Sequence, residues 1–127
     1  MSLDTREAAR IYRERAVEGA SPARIVRLLL ERALRGIDRA AAADASDPRS
    51  EFVAELQRAN EIVQELRLAI EPSAAPEIAA TTDALYQFVN TQIHMALAQR
   101  DAAPACAARP VLATLHDTWC RIEQGTT

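Results

Sequence analysis

The sequence predicts an all-α protein: an antiparallel four-helix bundle with an additional short N-terminal helix, four to five helices in all. Three observations predict it. Of 127 residues only three are Gly, 49% are hydrophobic with Ala prominent, and 26% are charged, a composition that favours helix. Apolar residues recur at helical spacing, and no segment sustains the period-two alternation of a strand. Helix start and stop signals divide the chain into segments joined by short loops, as in a bundle.

The elements follow in order. Asp4 with Glu7 three residues on forms a capping pair for a first short helix that ends near Val17. Ser21-Pro22 opens a second helix, because Ser accepts a bond from an orphan N–H and Pro fits the first turn. Ile25, Leu28, Leu29, Ala33, Gly36, Ile37 and Ala40 form its stripe, and Val26, Leu30 and Leu34 widen it to more than one side. Ser46-Asp47-Pro48 repeats the start signal and is expected to open a third helix, with Phe52, Leu56, Ala59, Val63, Leu66 and Ile70 on one face. Pro72 and Pro76 bracket a turn. A fourth helix from about Glu77 to Arg100 is expected to turn Ile78, Leu85, Phe88, Val89, Ile93 and Ala96 inward. The last helix carries Leu112, Leu115, Trp119 and Ile122, stops at Gly125, and is either kinked or started by Pro110. The chain is read as one domain, 1–127, with 1–20 a mobile arm or lid and 21–127 the bundle.

Composition narrows the function classes. No run reaches the roughly 18 apolar residues of a membrane span, and the N-terminus has no signal-peptide pattern, so a cytosolic protein without stable membrane insertion is expected. Net charge is −3 and Lys is absent. Residues 1–40 hold nine Arg against six acids, but Glu7, Glu14, Glu18, Glu31 and Asp38 interleave with them. This describes a solvated helix face rather than a nucleic-acid footprint, which would want a denser basic stripe or more than five aromatics. Cys106 and Cys120 are fourteen residues apart. On one straight helix that is about 21 Å, too far for a disulfide.

No catalytic or metal constellation stands out. Bundles host metals through Glu-x-x-His pairs, but Thr91 and Ala113 stand three residues before His94 and His116. Cys-x-x-Cys and a Gly-rich phosphate loop are missing. His94 raises the alternative of a histidine phosphotransfer domain. Such domains carry a Lys and small residues after the His, whereas Met95-Ala96-Leu97-Ala98 follows here with no cation before Arg100. The expectation is therefore no enzyme and no cofactor. The positive signals are a surplus of apolar helical faces and an apolar arm hinged at Gly19.

Four blocks carry a family resemblance. They read YRERAVEGASP (12–22), RANEIVQEL (58–66), EIAATTDALYQFV (77–89) and LHDTW (115–119). In order, spacing and overall length the chain resembles the flagellar export chaperone FliS family, from about residue 11 to 122. It departs from that pattern at Gly19, at Leu30-Glu31-Arg32, at Thr91-Gln92 and at Leu97.

The resemblance implies a cytosolic chaperone that binds the disordered C-terminal segment of flagellin. It prevents premature polymerisation and assists delivery to the flagellar type III export apparatus. An export-gate protein and flagellar regulators are further partners of such a protein, and an adaptor for a regulator is the runner-up reading. Binding would couple to folding of the tail, burying roughly 1,000–3,000 Å² as amphipathic helices enter apolar grooves. The residues expected to contact the client are Ile11, Tyr12, Val17, Ile25, Leu29, Ile62, Leu85, Tyr86, Val89 and Ile93. Leu3, Ile11, Tyr12 and Val17 are read as a groove cover. Since large exposed apolar patches promote self-association, a monomer with the lid closed or a weak homodimer is expected.

Overall fold

The computed structural model describes residues 21–70 and 75–125. Four helices follow one another: α1 Pro22–Ala42, α2 Phe52–Leu68, α3 Pro76–Gln99 and α4 Ala103–Gly125. Each packs against two others, α1 and α3 both lying between α2 and α4. The result is an antiparallel four-helix bundle that runs up, down, up, down around a closed ring. The capping pair at Asp4, the first short helix and Pro72 lie outside the described residues.

Local signals set most of the boundaries. Ser21 is the N-cap of α1: its Oγ accepts from Arg24 N at 3.1 Å, and Pro22 occupies the first turn. A cap of this kind contributes about 1 kcal/mol. The start expected at Ser46-Asp47-Pro48 is corrected, because α2 begins at Phe52. Asp44 Oδ1 takes the Ser46 N–H and hydroxyl at 2.9 and 2.6 Å, and Ser50 Oγ donates to Asp44 O at 2.6 Å. These polar side chains stabilise two successive turns instead of capping a helix. Between α3 and α4 Arg100 adopts the left-handed conformation, φ 53°, and Asp101 N donates back to Ala96 O at 3.1 Å. Arg here accepts a strain that Gly usually avoids at a helix end. Pro110 does not start α4; it lies inside it. Pro110 and Cys106 are both exposed, so water reaches the carbonyl left without its helical donor.

The core runs through the middle of the ring. Leu30, Ile37, Phe52, Leu56, Ile62, Val63, Tyr86, Val89, Ile93 and Leu112 are its largest fully enclosed side chains. Burying each such side chain stabilises the fold by about 1.5–3 kcal/mol. Ala33, Ala40, Ala59, Ala96, Ala105 and Ala108 are buried among them. The chain's many alanines thus bring helix backbones close.

Ion pairs lace three of the four seams. Arg32 NH2 donates to both Glu55 oxygens, at 3.1 and 2.9 Å, between α1 and α2. Arg67 Nε donates to Asp83 at 2.6 Å between α2 and α3. Arg109 Nε donates to Asp38 at 2.6 Å between α4 and α1. On the α3–α4 side Tyr86 and Trp119 together line an apolar cavity.

Candidate functional site

α3 is the element that differs from its neighbours. Over its 24 residues it holds two charged side chains, Glu77 and Asp83, and no Arg or Lys. Asp83 is engaged with Arg67. A bundle helix covered by two others still presents a broad face to water, and that face is usually charged. On α3 it carries a stripe of large apolar side chains beside uncharged polar ones: Ile78 is 69% exposed, Leu85 37%, Phe88 42% and Met95 40%. The expectation that Ile78, Leu85 and Phe88 point inward is therefore corrected. Asp83 and Asn90 both reach α2, and at 100° per residue the stripe lies well away from that side. Val89, Ile93 and Ala96 are inward as expected.

At the end of the bundle where α1 and α3 begin, the helices part around a cavity of about 340 Å³. Val26 lines it from α1, Leu66 from α2, Ile78 and Tyr86 from α3, and Trp119 from α4, with Ile70 beyond the end of α2. The wall is apolar apart from Thr82 and the Tyr86 hydroxyl. Burial pushes the Tyr86 phenol up to about 12, partly offset by its bond to Trp119. Tyr86 therefore stays a neutral, fixed wall across the physiological range. Ile78 belongs to both the cavity lining and the exposed stripe, so the two surfaces are continuous.

A second hollow of about 420 Å³ opens between α1 and α4, lined by Arg27, Glu31, Cys120, Glu123 and Gln124. Three of its lining residues are charged, and those charges pair with one another. Arg27 bonds Glu123 and, at 2.8 Å, Glu31, while His116 Nε2 lies 2.8 Å from the same Glu31 oxygen. His116 and then Arg27 hold the Glu31 carboxyl below its ordinary value, and Arg27 does the same for Glu123. Both partners in turn raise the Arg27 guanidinium. This cluster fastens α1 to α4. Among the described residues no group of His, Cys, Asp and Glu is arranged to hold a metal ion.

The residues expected from sequence to contact a partner fall into three sets. Leu85 is on the exposed stripe and Tyr86 walls the cavity. Ile25, Ile62, Val89 and Ile93 are buried, and Leu29 is half-buried against the core. Ile11, Tyr12 and Val17 lie outside the described residues. Ile78, Phe88, Met95 and Trp119 complete the surface, and sequence reasoning had assigned the first two to the core. The seven-residue spacings Ile78 to Leu85 and Phe88 to Met95 were the available signal for a second, outward seam. His94 is exposed on α3 one residue before Met95.

Among the described residues the chain is thus an all-α four-helix bundle with ion pairs along its seams, a stripe of exposed apolar side chains on α3 and an apolar cavity at one end. The chain matches the family model for the flagellar protein FliS over residues 5–126. It belongs to the FliS family of flagellar proteins. No match was found among curated proteins. No helix among the described residues is long and apolar enough to cross a membrane.

Proposed function

We propose that this protein is a cytosolic export chaperone for flagellin, acting by binding rather than catalysis. The observation that supports this most strongly is the continuous apolar surface from the end cavity along α3, in a chain of the FliS family. A disordered flagellin C-terminal segment has amphipathic stretches that the filament would otherwise bury. Laid along Leu85, Phe88 and Met95, with a large apolar side chain in the cavity beside Tyr86 and Trp119, such a stretch is withheld from polymerisation. Ordering the tail opposes binding, and the buried apolar area offsets it. With no Arg or Lys in α3 and no Asp or Glu after Asp83, most of that face is free of charges that the client would have to desolvate. Ile25, Leu29, Ile62, Val89 and Ile93 act from behind, fixing the shape of the surface. Residues 1–20 serve as an arm, with Ile11, Tyr12 and Val17 covering the cavity in the free protein. The export apparatus then receives the one-to-one complex.

Titration calorimetry with a flagellin C-terminal peptide tests this reading. One peptide per chain is expected, with Leu85→Glu and Phe88→Glu each weakening binding by about tenfold or more. Because both side chains are substantially exposed, the thermal midpoint should hardly move. A folded bundle that takes up no peptide at micromolar concentration overturns the proposal.

A further inference from the structure

The face of α1 turned away from the core carries a surplus of cations. This helix holds five Arg, at 24, 27, 32, 35 and 39, against two acids, Glu31 and Asp38. Both acids are engaged: Arg27 and His116 hold Glu31, and Arg109 of α4 holds Asp38. Arg27 and Arg32 are taken up further by Glu123 and Glu55. Arg24, Arg35 and Arg39 remain, all exposed. Arg39 comes no nearer than 3.7 Å to Glu55, which Arg32 holds more closely. At 100° per residue these three and exposed Leu28 fall within an arc of about 60°, in a row about 22 Å long. The buried Val26, Leu30, Ala33 and Ile37 centre on the opposite side of the helix.

We infer that this row docks an acidic amphipathic helix of a partner protein, laid along α1. A carboxylate of that helix meets each of Arg24, Arg35 and Arg39, and an apolar side chain covers Leu28. Three features favour this occupant. The cations are all Arg, whose planar fork takes a carboxylate through two parallel hydrogen bonds. The row is straight and one side chain wide, which matches a second helix. A basic contact with a membrane draws on about four to eight cations, more than the row supplies. The chain itself offers no complement. Residues 1–20 hold four Arg against four acids, and α1 laid on α1 would set Arg against Arg. α1 and α3 each pack on α2 and α4 and not on one another, so the row faces away from the apolar stripe of α3. The partner is therefore held without touching the surface assigned to the client, and the inference does not rest on that assignment. Exposed ion pairs are individually weak and are screened by salt, which makes the contact salt-sensitive and readily exchanged.

The test uses the purified full chain with no client present. The probe is a fluorescent, Ala-rich helical peptide carrying one Leu and three Glu at the spacing of Leu28 and the three Arg, made in both chain directions. Anisotropy should show one direction binding one to one, with a Kd below about 100 µM in low salt. A peptide of the same composition with the Glu positions scrambled should bind about fivefold more weakly or worse. Arg24→Gln combined with Arg35→Gln should weaken binding by about tenfold or more. Both side chains are exposed, so the circular dichroism melt should not move. Raising salt to about 0.5 M should weaken binding severalfold, and Leu85→Glu on α3 should leave it unchanged. No saturable binding in either direction overturns the inference. So does equal binding of the scrambled peptide, or a double variant that binds as tightly as the parent. Vesicles rich in phosphatidylserine that take up the chain through Arg24 and Arg35, where the peptide does not, overturn it in favour of a membrane surface.

Discussion

At Gly36 the α1 backbone lies so near α2 that an added Cβ would stand 3.0 Å from the Glu55 carbonyl oxygen and 3.5 Å from Ala59 Cβ. The same Cβ would come within 3.4 Å of the Glu55 carboxylate, which Arg32 holds from one turn earlier on α1. Gly36→Ala sets two effects against each other. Helix propensity alone would stabilise by about 1 kcal/mol. Overpacking against a helix backbone costs about 1–3 kcal/mol, and the backbone cannot swing aside as a long side chain does. We expect a net loss of about 1 kcal/mol by urea denaturation; a more stable variant would show that the two helices part freely. Sequence placed Gly36 on the inner stripe but could not tell that Ala59 and Glu55 face it. Which residues of α1 and α2 oppose one another depends on register, and periodicity within one helix carries no register. Arg32, a long cation one turn earlier on α1, is accommodated because Glu55 lies within reach across the seam.

Single elements show both how far local chemistry determines structure and where it stops. Ser21-Pro22 opened a helix as read, since the cap and its N–H acceptor are three residues apart and nothing distant competes. Ser46-Asp47-Pro48 did not, because Asp44 and Ser50 recruit the same polar groups into turns. The left-handed Arg100 had no sequence signal at all, as Gly is the usual marker of that conformation. On α3 periodicity identifies the helix and sets Val89, Ile93 and Ala96 inward, but apolar residues on its other sides keep it from separating Ile78, Leu85 and Phe88 from the core face. The α1–α4 seam yields a prediction at this scale. Glu31 and Glu123 have folded values lowered from the ordinary 4.5 by His116 and Arg27. A lowered carboxyl contributes stability that is present above its unfolded value and disappears as pH falls through its folded one. Stability should therefore hold above about pH 5 and fall progressively below the ordinary 4.5 as these carboxylates protonate. Glu31→Gln should flatten that acid limb in thermal melts taken from pH 6 to pH 3. An unchanged slope would mean that Asp38 and Asp44, lowered by Arg109 and by Ser46, carry the acid dependence instead.

Among the described residues, the ion pairs that tie the seams and the apolar stripe of α3 lie on different sides of the bundle. Three seams are tied by ion pairs, while the α3–α4 side presents Tyr86, Trp119 and the exposed stripe. The cavity opens at the end where α1 begins, with Val26 of the second turn in its wall. Ser21, the first described residue, caps α1 at that same end. Val17 is four residues from Ser21 and Tyr12 nine, a reach of up to about 14 and 32 Å in extended chain. The proposed cover is thus within chain length of the cavity. A cover of the proposed kind would compete with the proposed client intramolecularly, its displacement being subtracted from the client's binding free energy. Deleting residues 1–17 should then raise both the fluorescence of a hydrophobe-binding dye and the affinity for the flagellin peptide, the second by about threefold to tenfold if the cover is closed by 1 kcal/mol or so. Unchanged dye signal and unchanged affinity would end the lid proposal. A fall in affinity would end it too, since it would make Tyr12 and Val17 contacts for the client rather than its competitors.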